Sequence, residues 1–453
     1  MINALVIVTF LSCFLAAFFA KKLNVVSVYF VVLPELLSGI VLLVVIARLI
    51  VGKRLELDGK YIVFIVALLM TMAMGAVVEG VPAGPVVSGL RTYLPALPLL
   101  LLGAVYPFKG REIRSQLVVL IALLAIQIPL AVYQRFWQFA HKMHTGDVVT
   151  GTVTNSGVLS VVMISGITLL TVLYLRRKLS LLPYLTCTGL MLVPTAVNET
   201  KATIVMLPVA MFAPILLMRR SEQPLRRLVP IVAIFTICGA GFVATYDYLI
   251  QNRASGTTLE DFWLEGRVQD YMYRGAVEGD PRVGRFDSMQ IAVRTISQTP
   301  LRAVFGLGIG NVSPAMLPGF EGEYAHYYEK YRVWFTQVTM LLWNMGFAGV
   351  AVYGLLLFAM LRDAVTLAKA GGSHAAIGQC WGAIVVLFAM SFLYHAVLAM
   401  NEIMFPLMFY AGFVARRAHL LRREHRALRR APARAPQRGG PKPVGGVTAG
   451  AGP

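Results

Sequence analysis

The sequence predicts an all-α polytopic membrane protein with about 12 transmembrane helices and one large external loop between spans nine and ten. Of the 453 residues, 57% are hydrophobic and only 14% are charged, and the mean hydropathy is +0.70. Soluble domains carry about 25% charged residues. The apolar residues also form runs of about 20, the length of one membrane-spanning helix. A soluble globular fold is therefore excluded.

The apolar runs lie at residues 2–20, 26–50, 61–79, 92–107, 117–134, 156–175, 181–197, 202–218, 228–247, 335–360, 378–397 and 400–415. No basic segment precedes the first run, and Lys21 and Lys22 follow it. A cleaved signal peptide has the opposite arrangement. The first run is therefore expected to be a retained helix.

Lysine and arginine fall in every second short loop, at 53–60, 109–114, 176–178, 219–227 and 362–369, and again after residue 415. Because cytoplasmic loops are enriched in these residues, both termini are predicted to be cytoplasmic and the segment after span nine external. Lys21 and Lys22 are the exception to this pattern. The net charge of +19 is assigned to the loop bias and a basic tail near anionic lipid, and not to nucleic-acid binding.

Four regions follow from this pattern. Residues 1–247 hold spans one to nine, 248–332 form the external loop, 333–415 hold spans ten to twelve, and 416–453 are predicted to be a basic, disordered cytoplasmic tail. A polar segment as long as 248–332 exceeds what a connection needs, which indicates a role in function. The sequence shows no internal repeat, and this disfavours an inverted-repeat transporter.

The external loop contains a readable pattern in GRFDSMQIAVRTISQTPLRAVFGLGIGN, residues 284–311. Phe286, Met289, Val293 and Ile296 recur at helical spacing, which predicts an amphipathic helix that ends before Pro300. The glycines of GLGIGN lack a surrounding strand–helix pattern, so a nucleotide-binding loop is not expected. A tight turn that re-enters the helix bundle is predicted instead.

The loop is also rich in arginine, and the members singled out are Arg285, Arg294 and Arg267. Guanidinium groups match phosphate oxygens in a bidentate geometry, so these side chains are candidates to hold a phosphate-bearing ligand. Arg285 is the leading candidate because it begins the predicted helix, where free backbone N–H groups also attract anions. The alternative is a solvated surface balanced by the acidic residues of the same loop.

Three further candidates lie near the membrane edge. Lys201 in NETK could bind a diphosphate, or it could extend to the interface. Gln134, with Arg135, could line a cleft at the end of span five. Arg91 at the start of span four could be an interfacial anchor or point inward toward substrate.

His326, in EYAHYYEKYR, is the candidate acid–base residue because imidazole exchanges a proton near neutral pH. A structural histidine among tyrosines is the alternative. Glu321, Glu323 and Glu329 are carboxylates that could serve as the base instead.

The chain resembles the bacterial O-antigen ligase and O-antigen/exopolysaccharide polymerase superfamily over most of residues 60–400. Four elements carry the resemblance: Tyr133-Gln134 followed by GTVTNSG, then NETKAT, then the quoted arginine–helix–proline–glycine segment, and finally WNMGFAGV. The family has a histidine–asparagine pair near positions 335–336, where this chain has Phe335 and Thr336. Asn344 stands where the family has a glutamate, and Lys201 stands in place of an arginine. These departures favour a polymerase over a core-lipid ligase.

The resemblance implies a glycosyltransferase of the bacterial inner membrane. It would move a glycan from a polyprenyl-diphosphate carrier to a glycan or lipid-core hydroxyl at the external face, without a cofactor or a metal. Arginines would stabilise the departing diphosphate, and a histidine or carboxylate would deprotonate the acceptor. The implied partners are the lipid-linked donor, the glycan acceptor and the bilayer, and other polysaccharide-assembly proteins are candidates.

Two other functions are compatible with the sequence. A flippase for a lipid-linked glycan would need ionisable residues inside the spans, and Glu35, Glu402 and His395 are the candidates. A non-catalytic subunit of a polysaccharide-assembly machine is the second alternative.

Overall fold

A computed structural model describes residues 1–140, 145–218, 225–251, 258–259, 267–273, 283–313, 315, 319–328, 331, 333 and 336–430. These residues form helices and connecting turns, with no β-strand among them. The helices are α1 (Ile2–Ala17), α2 (Leu33–Ile50), α3 (Gly59–Val78), α4 (Ala83–Tyr93), α5 (Leu97–Val105), α6 (Gly110–Tyr133), α7 (Thr145–Val148), α8 (Ser156–Leu175), α9 (Leu181–Val197), α10 (Thr203–Leu216), α11 (Leu225–Gln251), α12 (Arg267–Tyr273), α13 (Arg285–Ile296), α14 (Pro300–Phe305), α15 (Glu323–Tyr328), α16 (Gln337–Ala370), α17 (Gly372–Tyr394) and α18 (Asn401–Arg430). The all-α prediction is confirmed.

Within the described part of the chain, eight helices are long and apolar enough to cross a bilayer, or nine if α4 and α5 count as one span bent by 42°. The protein is therefore a multi-pass membrane protein. Every predicted apolar run contains a helix, but α9 and α10 are short, and the apolar part of α18 continues into a basic helix. The number of twelve crossings thus remains a prediction.

The polar ends of the helices meet in two separate groups. One group joins the ends of α1, α6, α9 and α17 to the starts of α8, α13 and α18, and it is described below as the candidate site. The other group joins the start of α3 to the ends of α16 and α18. Charged side chains at the two ends are thereby separated by the apolar bundle.

A buried ion network forms the second group. The carboxylate of Asp363 in α16 is fully buried and accepts hydrogen bonds from Lys60 Nζ at 2.6 Å, Tyr61 Oη at 2.8 Å and Arg422 Nη1 at 2.9 Å. Arg422 also donates to Asp58 at 3.0 Å. A buried charge is tolerated only when it is paired and hydrogen-bonded, and this network meets that condition.

The glycine-rich turn after α14 enters the bundle, as predicted. Gly306, Gly308 and Gly310 all have positive φ, the region that glycine occupies without strain. A Cβ on Gly310 would lie 1.8 Å from the carbonyl oxygen of Pro85, so no larger residue fits there. The buried amide of Asn344 in α16 accepts a hydrogen bond from Gly310 N at 3.0 Å and holds the turn in place.

α16 is broken where the turn meets it. Gly346 has φ of +60° inside this helix, and a Cβ there would lie 2.5 Å from Val304 O. The backbone of the turn takes part in the break, since Leu307 N donates to Trp343 O at 2.7 Å. A main-chain bond from the turn thus satisfies a carbonyl that the broken helix leaves open.

The predicted amphipathic helix is confirmed as α13, which ends at Ile296. Ala292 and Ile296 are fully buried and pack in one cluster with Leu342 and Trp343 of α16. Pro300 begins the next helix, at a first-turn position where its missing N–H has no intrahelical partner to lose. α13 is therefore fixed to the bundle by its apolar face.

The last helix extends beyond the predicted span. α18 continues past residue 415 to Arg430, so residues 416–430 are helical and not part of a disordered tail. Arg422 and Arg416 attach this extension to Asp58 and Glu56 near the start of α3. The remainder of the predicted tail, 431–453, lies outside the described residues.

Candidate functional site

Several polar residues meet at one end of the bundle, and together they are called the loop cluster here. Its members come from seven separate stretches of chain: Lys22, Gln134 with Arg135, Thr150–Asn155, Asn198–Lys201, Arg285, His395 and Glu402. The local reason is the same in each case, because an apolar helix ends or begins at a polar residue there. The cluster contains three of the predicted site residues.

Gln134 is buried and organises the loop before α8. Its amide oxygen accepts from Thr150 N at 3.0 Å and Gly151 N at 2.8 Å, and its amide nitrogen donates to Gly151 O at 3.0 Å. Gln127 lies about two helical turns earlier in α6. Its amide nitrogen donates to the Thr152 hydroxyl, and its amide oxygen accepts from Thr152 N. Gln134 is thus engaged by protein backbone and positions the loop.

Lys22 binds the same loop from the end of α1. Its ammonium donates to Gly151 O and Val153 O, each at 2.8 Å, and to the Thr150 hydroxyl. A lysine at this end broke the charge pattern of the loops. The structure supplies the reason, since the ammonium is the described donor to Val153 O and a second donor, beside Gln134, to Gly151 O.

Arg135 and Glu199 form a largely buried ion pair. Arg135 Nη1 and Glu199 Oε1 lie 2.7 Å apart, although their geometry is not that of a linear hydrogen bond. Glu199 has φ of +58°, an unfavourable region for a non-glycine residue. Gly146 allows the close approach of this carboxylate, because a Cβ there would meet it at 2.6 Å. Lys201, half-buried, follows in the turn before α10.

Asn155 joins the start of α8 to the end of α17. Its side-chain oxygen caps α8 by accepting from Val158 N at 2.8 Å. Because the oxygen is used by the cap, the amide nitrogen faces His395 Nε2, which lies within hydrogen-bond distance. An amide nitrogen can only donate, so Nε2 accepts and the neutral imidazole carries its proton on Nδ1.

Arg285 contacts Tyr394, the residue that precedes this histidine. Its Nε donates to the carbonyl oxygen of Tyr394 at 3.1 Å, and its guanidinium sits 4.9 Å from the centre of the Tyr394 ring. Arg285 is the first residue of α13, as predicted. The start of α13 is thereby joined to the end of α17, one residue before the histidine that Asn155 contacts.

Glu402 closes the cluster on its inner side. The residue is 3% exposed and stands in the first turn of α18, where Thr154 N donates to its carboxylate at 2.9 Å. It also lines an apolar cavity that lies between the helices below. The polar cluster and the cavity therefore meet at this carboxylate.

The other predicted residues lie elsewhere. Arg91 is ion-paired with Glu35 of α2 at 3.0 Å, and Asn401 donates to the same carboxylate at 3.3 Å, which places the pair next to the start of α18. Arg294 is exposed near the end of α13. Arg267 begins α12, and its side chain lies outside the described residues.

His326 lies on α15 with its side chain 69% exposed, and its Nε2 is 3.3 Å from the Glu321 carboxylate. No described contact joins it to the loop cluster. Arg302, another arginine of this region, is paired with Glu79 at 2.9 Å, and this hydrogen bond raises the pKa of the guanidinium. Arg302 is therefore bound by the bundle itself.

Sequence reasoning did not assign Lys22 or Asn155 to the site. Two signals could have found them. Lys22 departs from the charge pattern of the loops, and Asn155 directly precedes an apolar run, where asparagine is a preferred helix cap. The pairing of Asn155 with His395 gives no signal, because 240 residues separate them.

The arrangement offers cationic and hydrogen-bonding groups for an anionic ligand. Among the described residues, no group of three or more His, Cys, Asp or Glu side chains is arranged to hold a metal ion. Comparison of the chain with models of known protein families and with characterised proteins finds no match.

Proposed function

We propose that this protein is a membrane glycosyltransferase of bacterial surface-polysaccharide biosynthesis. It polymerises, or ligates, oligosaccharide units carried on a polyprenyl diphosphate. The observation that carries the proposal is the position of the Arg285 guanidinium on Tyr394, the residue before His395, within a cluster of polar loops at one end of an apolar bundle. A substrate with a charged head and a long apolar chain needs such a boundary.

The reaction is a substitution at the anomeric carbon of the donor sugar. The bond from this carbon to the diphosphate oxygen breaks, and the acceptor oxygen forms the new glycosidic bond. Negative charge builds on the departing diphosphate, and Arg285 stabilises it, with Lys201 and Arg294 as further contacts.

The acceptor hydroxyl must lose its proton during the substitution. We assign this step to His326, whose imidazole is exposed to solvent and lies beside the Glu321 carboxylate, which can orient it. Arg91 and Gln134 act by positioning, because both are engaged by protein groups. Arg267 is proposed as a diphosphate contact on the ground of its charge alone.

The proposed orientation rests on the distribution of lysine and arginine among the loops. Both termini lie in the cytoplasm, and the loop cluster lies at the external face of the inner membrane. Lipid-linked glycans are presented at that face after flipping. The Asp363 network and the basic end of α18 then lie on the cytoplasmic side.

Two arginines of the same region allow a matched test. In vesicles supplied with purified lipid-linked donor, Arg285→Ala should lower the transfer rate about 10²–10³-fold, the usual effect of removing one group that stabilises developing charge. Arg302→Ala removes the same charge from a site where Glu79 holds it, and the rate should change little. Equal effects of the two substitutions would remove the proposed role of Arg285.

A transporter of the same lipid-linked glycan is the competing function, because Lys22 and Glu402 are ionisable groups with low exposure at the ends of membrane helices. Reconstitution separates the two functions. A glycosyltransferase releases the carrier diphosphate as polymer forms, whereas a transporter moves intact donor and releases none. A non-catalytic subunit would do neither.

A further inference from the structure

Five helices, α1, α6, α8, α17 and α18, surround an apolar cavity of about 360 Å³. Along α18 its lining runs from Glu402 to Val414, twelve residues, or about 18 Å of helix. That distance is more than half of the roughly 30 Å hydrocarbon core. The cavity is partly open, and Ile121 of α6, which is 40% exposed, lies at its edge.

The lining carries two polar atoms that have no hydrogen-bond partner in the described part of the chain, Trp381 Nε1 and Tyr410 Oη. Trp381 is 5% exposed, so its N–H is hidden from solvent. A buried donor without a partner is unfavourable and normally has an acceptor. The occupant of the cavity should therefore be apolar and yet offer weak acceptors at the depth of these two groups.

We propose that this cavity holds the isoprenoid chain of the lipid carrier. Each isoprene unit contains a carbon–carbon double bond, whose π electrons accept weak hydrogen bonds from N–H and O–H groups. A saturated acyl chain has no such acceptor. The branching methyl groups also suit an irregular wall made of leucine and isoleucine side chains and of Gly166, which has none.

The position of the cavity supports the same occupant. Glu402 belongs both to the cavity lining and to the loop cluster, where Thr154 N donates to it. A chain that lies in the cavity thus emerges at the polar loops where Asn155 contacts His395 and Arg285 contacts Tyr394. The inference rests on the proposed function for its ligand, and it adds where the apolar part of that ligand is held.

The test uses the full-length protein in nanodiscs of phosphatidylglycerol and a polyprenyl phosphate that carries a diazirine at the end of its chain. After irradiation, labelled peptides should come from α6, α8, α17 and α18 at the cavity. Ser165→Phe and Ala376→Phe place a ring into the cavity from two helices and should lower labelling about tenfold. Ala73→Phe, on an exposed position of α3, is the matched control and should not change it.

A second pair of variants tests the choice of ligand. Trp381→Phe and Tyr410→Phe keep the shape of the cavity and remove the unpartnered donors. They should reduce competition by unlabelled polyprenyl phosphate about threefold, without changing competition by a saturated phospholipid. Gel filtration of every variant checks that the protein remains folded.

The outcomes distinguish this inference from the proposed function. If saturated phospholipid displaced the label from the cavity as well as polyprenyl phosphate does, the isoprenoid assignment would be overturned. Glycan transfer without labelling at the cavity would overturn the inference and leave the proposed function intact. Labelling at the cavity without any glycan transfer would support the chain site and reject the glycosyltransferase.

Discussion

The buried carboxylate of Asp363 gives the sharpest stability prediction. This residue is 0% exposed and accepts hydrogen bonds from Lys60, Tyr61 and Arg422. Asp363→Asn keeps the size of the side chain and removes its charge. Two cations then face a neutral amide.

The expected magnitude follows from what each cation retains. Arg422 still has Asp58 at 3.0 Å, whereas the next carboxylate for Lys60 is the same Asp58 at 3.9 Å. About one cation is thus left without a close partner. Breaking a buried ion pair lowers the free energy of unfolding by about 3–5 kcal/mol, and the partial compensation points to about 3 kcal/mol.

Two variants serve as references for this value. Asp58→Asn alters a carboxylate that is 31% exposed and should lower the free energy of unfolding by about 0–1 kcal/mol. Asp363→Leu combined with Lys60→Leu replaces the pair with apolar groups and should recover most of the loss, because such replacements are often neutral.

The measurement is reversible unfolding in mixed micelles with increasing dodecyl sulfate. The glycan transfer rate per folded molecule should stay unchanged, since the network lies at the opposite end of the bundle from the loop cluster. If Asp363→Asn proved no more destabilising than Asp58→Asn, the network would not contribute in the way its burial indicates.

Three other substitutions have definite expectations. Gly310→Ala should prevent the turn from docking, because its Cβ would collide with Pro85 O, and limited proteolysis should then cleave the segment around residue 310. Asn155→Asp should keep the cap of α8 and turn Nε2 of His395 from an acceptor into a donor to the new carboxylate; ¹⁵N chemical shifts should then show a proton on Nε2, and unchanged shifts would contradict the pairing. Lys22→Met should lower the melting temperature, since the buried Val153 carbonyl loses its described donor at about 1–3 kcal/mol while Gly151 O keeps Gln134, and an unchanged value would contradict that role.

The helices were predictable because the signal for them is local. A run of about 20 apolar residues specifies a membrane helix wherever it occurs, and each such run contains a helix here. The start of α13 at Arg285 and its end before Pro300 also followed from local spacing and proline chemistry. The tight turn was predictable because glycine, which has no side chain, adopts the backbone conformations that such turns need.

Partner choice was not predictable in the same way. Arg91 was expected at substrate or at the interface, and it is paired with Glu35, 56 residues away. Gln134 was expected to line a cleft, and it binds backbone groups at the start of GTVTNSG instead. These pairings depend on which helices pack together, and the hydropathy of a segment does not specify its neighbours.

The candidate site shows the same limit. Charge and spacing located Arg285, but they did not indicate that it contacts Tyr394, at the end of another helix and one residue before His395. His326 was chosen because it stands in the external loop, and its described partner is Glu321. Residue type suggested which chemistry each side chain could perform, while the three-dimensional contacts decide which side chains can act in one site.

The break in α16 has a consequence for biogenesis. Gly306 and Gly310 are translated before Asn344 and Gly346, yet these later residues form their docking place. The glycine turn therefore leaves the translocon before α16 is inserted and can dock only after that insertion. We expect nascent chains that stop at residue 336 to remain open to protease at the glycine turn, and chains that extend past α16 to become resistant.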